Sequence, residues 1–295
     1  MPEQTSPHNP CATCGACCRS YGVQVYGYDL WRIYAGLRMS PENYVIAYPQ
    51  SPPGPDGFRL APDGPLRALI LDKRGALKPA SPCVFLLTLA DGQTRCGIYP
   101  YRPAVCRTYP MGLWSGAVFQ RKETLCPPDS WPLPTVFRPT WRTAIHAFFR
   151  HMDIYHEVVA RWNARVAAAR PGTEFALTTY FAYLLNVYER LAALDESWGE
   201  TATAGLDETW PTRPRQALEP AALAAHAEDW PWLRYLLAAR RIIDAFYPGI
   251  PPQPLLVLGA GEAVPAPSVN VLDAAAAGTR PPAPRPEIGA PRPGI

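Results

Sequence analysis

Four of the chain's eight cysteines fall inside one octet, Cys11-Ala12-Thr13-Cys14-Gly15-Ala16-Cys17-Cys18, and the others follow at Cys83, Cys96, Cys106 and Cys126. None occurs after Cys126, although the chain runs to 295 residues. A fold that accommodates this distribution has to gather thiols from distant segments. Thiolates are soft ligands, and tetrahedral sulfur sites select zinc or iron–sulfur clusters. The knuckles Cys11-x2-Cys14 and Cys14-x2-Cys17 overlap. A zinc ribbon uses two separate knuckles, each giving two ligands to one ion, which overlapping ones cannot do. A C-x2-C-x2-C run suits a cubane better, because each sulfur can take a different iron while a distant cysteine takes the fourth. Cys18, Cys83, Cys96, Cys106 and Cys126 are the candidates for that fourth position. Eight thiols also match two four-sulfur sites, and spacing alone does not assign the partners.

Charge and termini bound the setting. A net charge of +3 and a pI near 8.4 give no electrostatic case for nucleic acid or an anionic membrane. The opening residues lack a basic n-region and an apolar h-region, and no apolar run is long enough to span a bilayer. The expectation is a cytoplasmic protein with reduced thiols, whose clustered cysteines are metal ligands rather than disulfides. Adjacent Cys17 and Cys18 are also awkward to bridge to each other without strain.

The predicted architecture is α+β. Residues 1–10 read as a flexible leader, and residues 11–130 as a cysteine-cluster metal-binding domain. Residues 21–27 alternate as a short strand. Asp29 caps a helix to Leu37 carrying Leu30, Ile33, Tyr34 and Leu37 on one face, and Ser40-Pro41 starts a second helix to about Tyr48. Leu66–Asp72 reads as a strand. Cys83–Leu89 and Thr94–Ile98 read as a β-hairpin turning at Asp91-Gly92, with one helical turn at Ala104–Thr108. Residues 127–139 form a proline-rich linker.

Residues 140–248 are predicted to be a helical region packed on this domain. Trp141, Ile145, Phe148, Met152, Tyr155, Val159, Trp162 and Val166 recur at alternating steps of four and three, an amphipathic stripe. After Pro171-Gly172, a second helix capped by Thr173 carries Leu177, Phe181, Leu184, Tyr188 and Leu191, suggesting an antiparallel helical hairpin. More helix is predicted over Glu219–Asp229 and Pro231–Tyr247. Leu255–Leu258 reads as a short strand. Residues 259–295 read as a disordered Pro/Ala-rich tail, in a chain with 37 prolines.

Arg19, Arg95, Arg102, Arg107 and the Arg121-Lys122 pair lie near cysteines in sequence and are candidates to neutralise a negatively charged thiolate site. His146, His151 and His156 recur every five residues, so each is turned about 140° from the last and the three do not share a face. They read as surface or boundary histidines, and His8 as leader. No nucleotide-binding loop, nucleophile elbow or H-E-x-x-H is present. No histidine lies within residues 11–126 to serve a catalytic thiol.

Cys-x2-Cys-x2-Cys-Cys, Pro82-Cys83-Val84-Phe85-Leu86, Cys96-Gly97-Ile98-Tyr99, Arg102-Pro103 and Cys106-Arg107-x-Tyr109-Pro110 together resemble the YkgJ-type cysteine-cluster family, described as zinc- or iron-chelating. The resemblance covers roughly residues 11–126, and flagellin lysine methylases look like more distant relatives. It implies a metal site and leaves the reaction open. The expected function is binding of an iron–sulfur cluster or zinc through clustered thiolates, in a small module packed against helices. Two alternatives stand beside it. One is a metal-dependent enzyme, redox or methylase-like. The other is an interaction protein with a structural metal, meeting a protein partner through the helical region or the Pro-rich tail.

Overall fold

The computed structural model describes residues 14–75, 81–114, 117–121, 124–126, 138–198, 215–218, 231–251 and 255–258. The leader with His8, Cys11, Lys122, the linker at 127–137, the predicted helix at Glu219–Asp229 and the tail at 259–295 lie outside the described residues.

Helices and small antiparallel strand pairs make up the architecture. α1 (Ala16–Ser20) follows Gly15, whose φ of +62° is the left-handed conformation that glycine adopts without penalty. The next segment is a partial strand. Val25 donates to the Leu69 carbonyl at 3.0 Å and Leu71 to the Val23 carbonyl at 2.8 Å, but only Gln24 is bridged, to Ile70. The helix α2 (Gly27–Leu37) begins too soon for a full strand over 21–27. Tyr26, not Asp29, occupies the cap position; Asp29 sits in the first turn and accepts the Tyr26 N–H at 3.1 Å. The apolar face of α2 is narrower than its sequence suggests: Leu30 and Ile33 are fully buried, whereas Tyr34 and Leu37 are exposed.

The helix expected from Ser40 to Tyr48 is instead a 3-10 turn at Pro41–Asn43 followed by β1 (Val45–Pro49). Val45, Ile46 and Tyr48 fit a pleated, half-buried surface better than a helix. β1 pairs with β2 (Arg67–Leu71), Val45 opposite Leu71. β3 (Leu86–Thr88) and β4 (Thr94–Cys96) form the predicted hairpin, Leu86 opposite Cys96, with Gly92 at φ +81° in the turn. Cys83 precedes its first arm. α3 (Ala104–Thr108) carries Cys106. A pair not foreseen from sequence follows, β5 (Met111–Trp114) with β6 (Ala117–Gln120).

The long helix α4 (Arg138–Ala167) buries Ile145, Phe148, Tyr155, Val159, Trp162 and Val166, as its stripe requires. α5 (Leu177–Trp198) starts four residues beyond Thr173, which is not its cap. α6 (Pro231–Asp244) packs on both α4 and α5. β7 (Arg215–Leu218) pairs with β8 (Leu255–Leu258).

One hydrophobic core runs from Val23 and Leu86 through Phe148 and Trp162 to Trp232 and Ile243. Phe58 stacks on Tyr180 with centroids 4.1 Å apart, and Trp162 Nε1 donates to the Arg59 carbonyl at 2.7 Å. Gly27 lets α2 approach α5 closely, since a Cβ there would stand 2.0 Å from the Tyr188 ring. The cysteine-bearing segments thus share one core with the helices. Among the described residues no helix is long and apolar enough to cross a membrane.

Candidate metal centre

Each cysteine segment is positioned by a different device. Gly15 brings the N-terminal run against the β3–β4 hairpin, where a Cβ would lie 2.6 Å from Thr94 Oγ1 and 3.1 Å from Leu86 Cδ1. α1 then presents Cys17 and Cys18. The Cys83 N–H donates to the Cys18 carbonyl at 2.8 Å, joining two cysteine segments through backbone. The hairpin register sets Cys96 opposite Leu86, beside Cys83.

Cys106 depends on Asp29. This carboxylate, 2% exposed, accepts the Ala104 N–H at the start of α3 at 2.9 Å as well as the Tyr26 N–H. It therefore fixes α3 to the first turn of α2. Burial pushes the Asp29 carboxyl up to about 6, against the opposing pull of those two N–H donors. Cys126 is held through its neighbour, because the Leu125 N–H donates to Tyr109 Oη at 2.9 Å.

The result is one partly open cavity. Cys14, Cys17, Cys18, Cys83, Cys96, Cys106 and Cys126 all line it, along with Arg102 and the apolar side chains of Val23, Leu71, Phe85 and Ile98. All seven are free thiols. Cys11 lies outside the described residues. Among the described residues no three His, Cys, Asp or Glu side chains are already gathered at the spacing a single ion requires. The cavity therefore collects donors around its wall without closing them on a point.

Its electrostatics suit thiolates unevenly. Cys18 is lowered to about 7, chiefly by a hydrogen bond from Cys17 and then, against burial, by Arg102, Arg19 and Lys73. Burial pushes Cys83 up to about 11, opposed by a hydrogen bond from the Phe85 N–H. Cys96 is raised by burial and opposed by the Ile98 N–H, while Cys106 is raised strongly by burial. Such groups stay protonated until a cation replaces the proton. The donor set, the backbone N–H groups aimed at sulfur and the surrounding cations fit a bound metal or cluster.

Of the arginines singled out in the sequence, Arg102 lines the cavity and Arg19 lies beside it. Arg95 is exposed. Arg107 acts on Tyr28, Asp29 and His151 instead. Sequence reasoning missed Lys73, which is 7% exposed and donates from Nζ to the Arg19 carbonyl at 2.9 Å. It carried no signal, since 55 residues separate it from Cys18. Asp29 and Tyr109 were likewise missed as supports. His151 is a boundary residue, half-buried: it stacks on Tyr28 with centroids 3.8 Å apart, and desolvation holds it well below the usual histidine range.

Residues 10–127 match the CxxCxxCC family, described as "Putative zinc- or iron-chelating domain". The matched stretch spans all eight cysteines. No curated protein and no solved structure matches the chain.

Proposed function

We propose, from the match of residues 10–127 to a family model described as zinc- or iron-chelating, that the cysteine cavity binds an iron–sulfur cluster rather than a lone zinc ion. The observation that carries the metal reading is the convergence of seven thiols from five chain segments on one cavity. The overlapping Cys11-x2-Cys14-x2-Cys17 spacing favours iron–sulfur, because each sulfur of such a run can take its own iron. Cys11, Cys14, Cys17, Cys18, Cys83, Cys96, Cys106 and Cys126 form the ligand pool. A cluster held there would supply an electron-carrying or structural centre.

Around it, Arg102, Arg19 and Lys73 offset thiolate charge, and the N–H groups of Phe85 and Ile98 donate to Cys83 and Cys96. The apolar wall of Val23, Leu71, Phe85 and Ile98 limits water around the sulfurs, a lever on potential and stability. Free thiols in this number suit a reducing compartment, and we place the protein in the cytoplasm.

Anaerobic purification with assay of iron, zinc and acid-labile sulfide tests the reading. Iron and sulfide in matched amounts with broad visible absorbance are expected. Colourless protein with stoichiometric zinc overturns the choice of cluster. Folded, metal-free protein with eight titratable thiols overturns metal binding altogether.

A further inference from the structure

Away from the cysteine cavity, three arginines from three helices meet around a stacked pair of rings. Tyr28 on α2 lies flat against His151 on α4, at 3.8 Å and 9° between planes. Arg32, one turn beyond Tyr28, donates from Nη2 to the Pro100 carbonyl at 2.9 Å. Its Nη1 is buried with no hydrogen-bond partner. Arg150 precedes His151 and pairs with Asp195 at 3.1 Å. Arg107 on α3 completes the group, and Arg150, Arg32 and Arg107 all act on His151 to disfavour its protonation.

The anions nearby are already engaged. Asp195 serves Arg150 and accepts the Tyr235 hydroxyl at 3.2 Å. Asp29 accepts two backbone N–H groups. Arg32, Arg107, Arg150, Tyr28 and His151 are all half-buried; Arg150 is matched by Asp195, whereas among the described residues Arg32 and Arg107 meet no acid in an ion pair. Half-buried guanidinium groups with spare donors are what a bidentate oxyanion satisfies.

We propose that Arg32 and Arg107, backed by Arg150 and the Tyr28–His151 stack, form a binding site for a phosphate- or carboxylate-type oxyanion. Arg32 Nη1 supplies the open donor and Arg107 the second fork. The site is independent of the metal reading, although Arg107 follows Cys106 directly and a bound anion would sit one residue from the metal cavity.

Calorimetric titration of the full chain with inorganic phosphate, and separately with succinate, at matched ionic strength tests it. Saturable binding of either anion is expected, and which one binds more tightly identifies the ligand class. Arg107→Gln and Arg32→Gln should each weaken binding about tenfold or more, since each removes charge-assisted bonds. Arg170→Gln, the same charge change at an exposed position, should leave it unaltered. Metal content should be unchanged in Arg32→Gln, which separates this site from the cysteine cavity. If Arg107→Gln fails to fold, Arg32→Gln gives the same readout. Absence of binding by both anions, undiminished binding in Arg32→Gln, or equal weakening in Arg170→Gln overturns the proposal.

Discussion

Replacing Asp29 with Asn separates the two roles that one buried carboxylate plays. The group accepts N–H bonds from Tyr26 and Ala104, and so ties the helix bearing Cys106 to α2. It is also a charge placed where only 2% of the residue meets solvent. Its carboxyl rises from the ordinary 3.8 to about 6, with burial the largest cause. A raised carboxyl binds its proton more tightly in the folded chain than in the unfolded one. Between pH 4 and 6 the folded state therefore holds more protons, and stability falls as pH rises through that window. At 1.36 kcal/mol per pH unit, the interval corresponds to about 3 kcal/mol lost between pH 3.8 and 7. Other carboxylates work in the opposite direction, so the raw stability of the native protein does not isolate the effect. The difference between native protein and Asp29→Asn does. Urea unfolding of both, read by far-UV circular dichroism at pH 4.5 and 7.5, should show that difference shifting against the native protein by about 2 kcal/mol at the higher pH. A flat difference, or one that moves in the native protein's favour as pH rises, would refute the assignment of a desolvated charge to Asp29. Asp29→Ala adds a second reading. It strands two backbone N–H groups, at about 1–3 kcal/mol each for a buried unsatisfied donor, and should lower metal retention because α3 loses its anchor.

Four other substitutions have expected outcomes. Cys83→Ser, at a site 6% exposed in the cavity wall, should reduce bound metal at least tenfold in elemental analysis, because hydroxyl is a poor substitute for a soft thiolate. Gly15→Ala should destabilise by about 1–3 kcal/mol in urea, since a φ of +62° and a Cβ 2.6 Å from Thr94 Oγ1 both oppose a side chain. Lys73→Met keeps most of the volume and removes a cation near Cys17, Cys18 and Cys83; metal should be lost to a competing chelator faster than from native protein, with Lys73→Arg intermediate. Glu157→Gln removes one of the two carboxylates that Arg240 meets, Asp244 at 3.0 Å being the other, and the thermal midpoint should fall by the equivalent of about 1–3 kcal/mol with metal content per folded molecule unchanged.

That the cysteines share a place in the fold was legible from their clustering in sequence. Cys14, Cys17, Cys18, Cys83, Cys96, Cys106 and Cys126 all reach one cavity, as a shared site requires. The α4 stripe was legible because a 30-residue helix repeats its apolar period many times. Short elements were less so. The stretch Pro41–Pro49 carries a helix-start signal in Ser40-Pro41, yet tertiary pairing with β2 draws Val45–Pro49 into a strand. Tyr34 and Leu37 fit a helical stripe but are exposed, while Leu30 and Ile33 on the same helix are fully buried.

What sequence could not show is the support around the thiols, and the reason is physical. Asp29, Lys73 and Tyr109 act through single contacts with backbone groups distant in sequence: Ala104, Arg19 and Leu125. No periodicity or spacing encodes a contact made once. Yet these contacts decide whether the cysteines form a site at all. The cysteines sit on loops and five-residue helices, such as α1 and α3, too short to hold a position unaided. Their placement must be imposed from outside, by a buried carboxylate at α3, a buried ammonium at α1 and a phenol at Cys126. A substitution at any of the three should therefore lower metal affinity without touching a ligand, and do so most at the cysteine its contact positions.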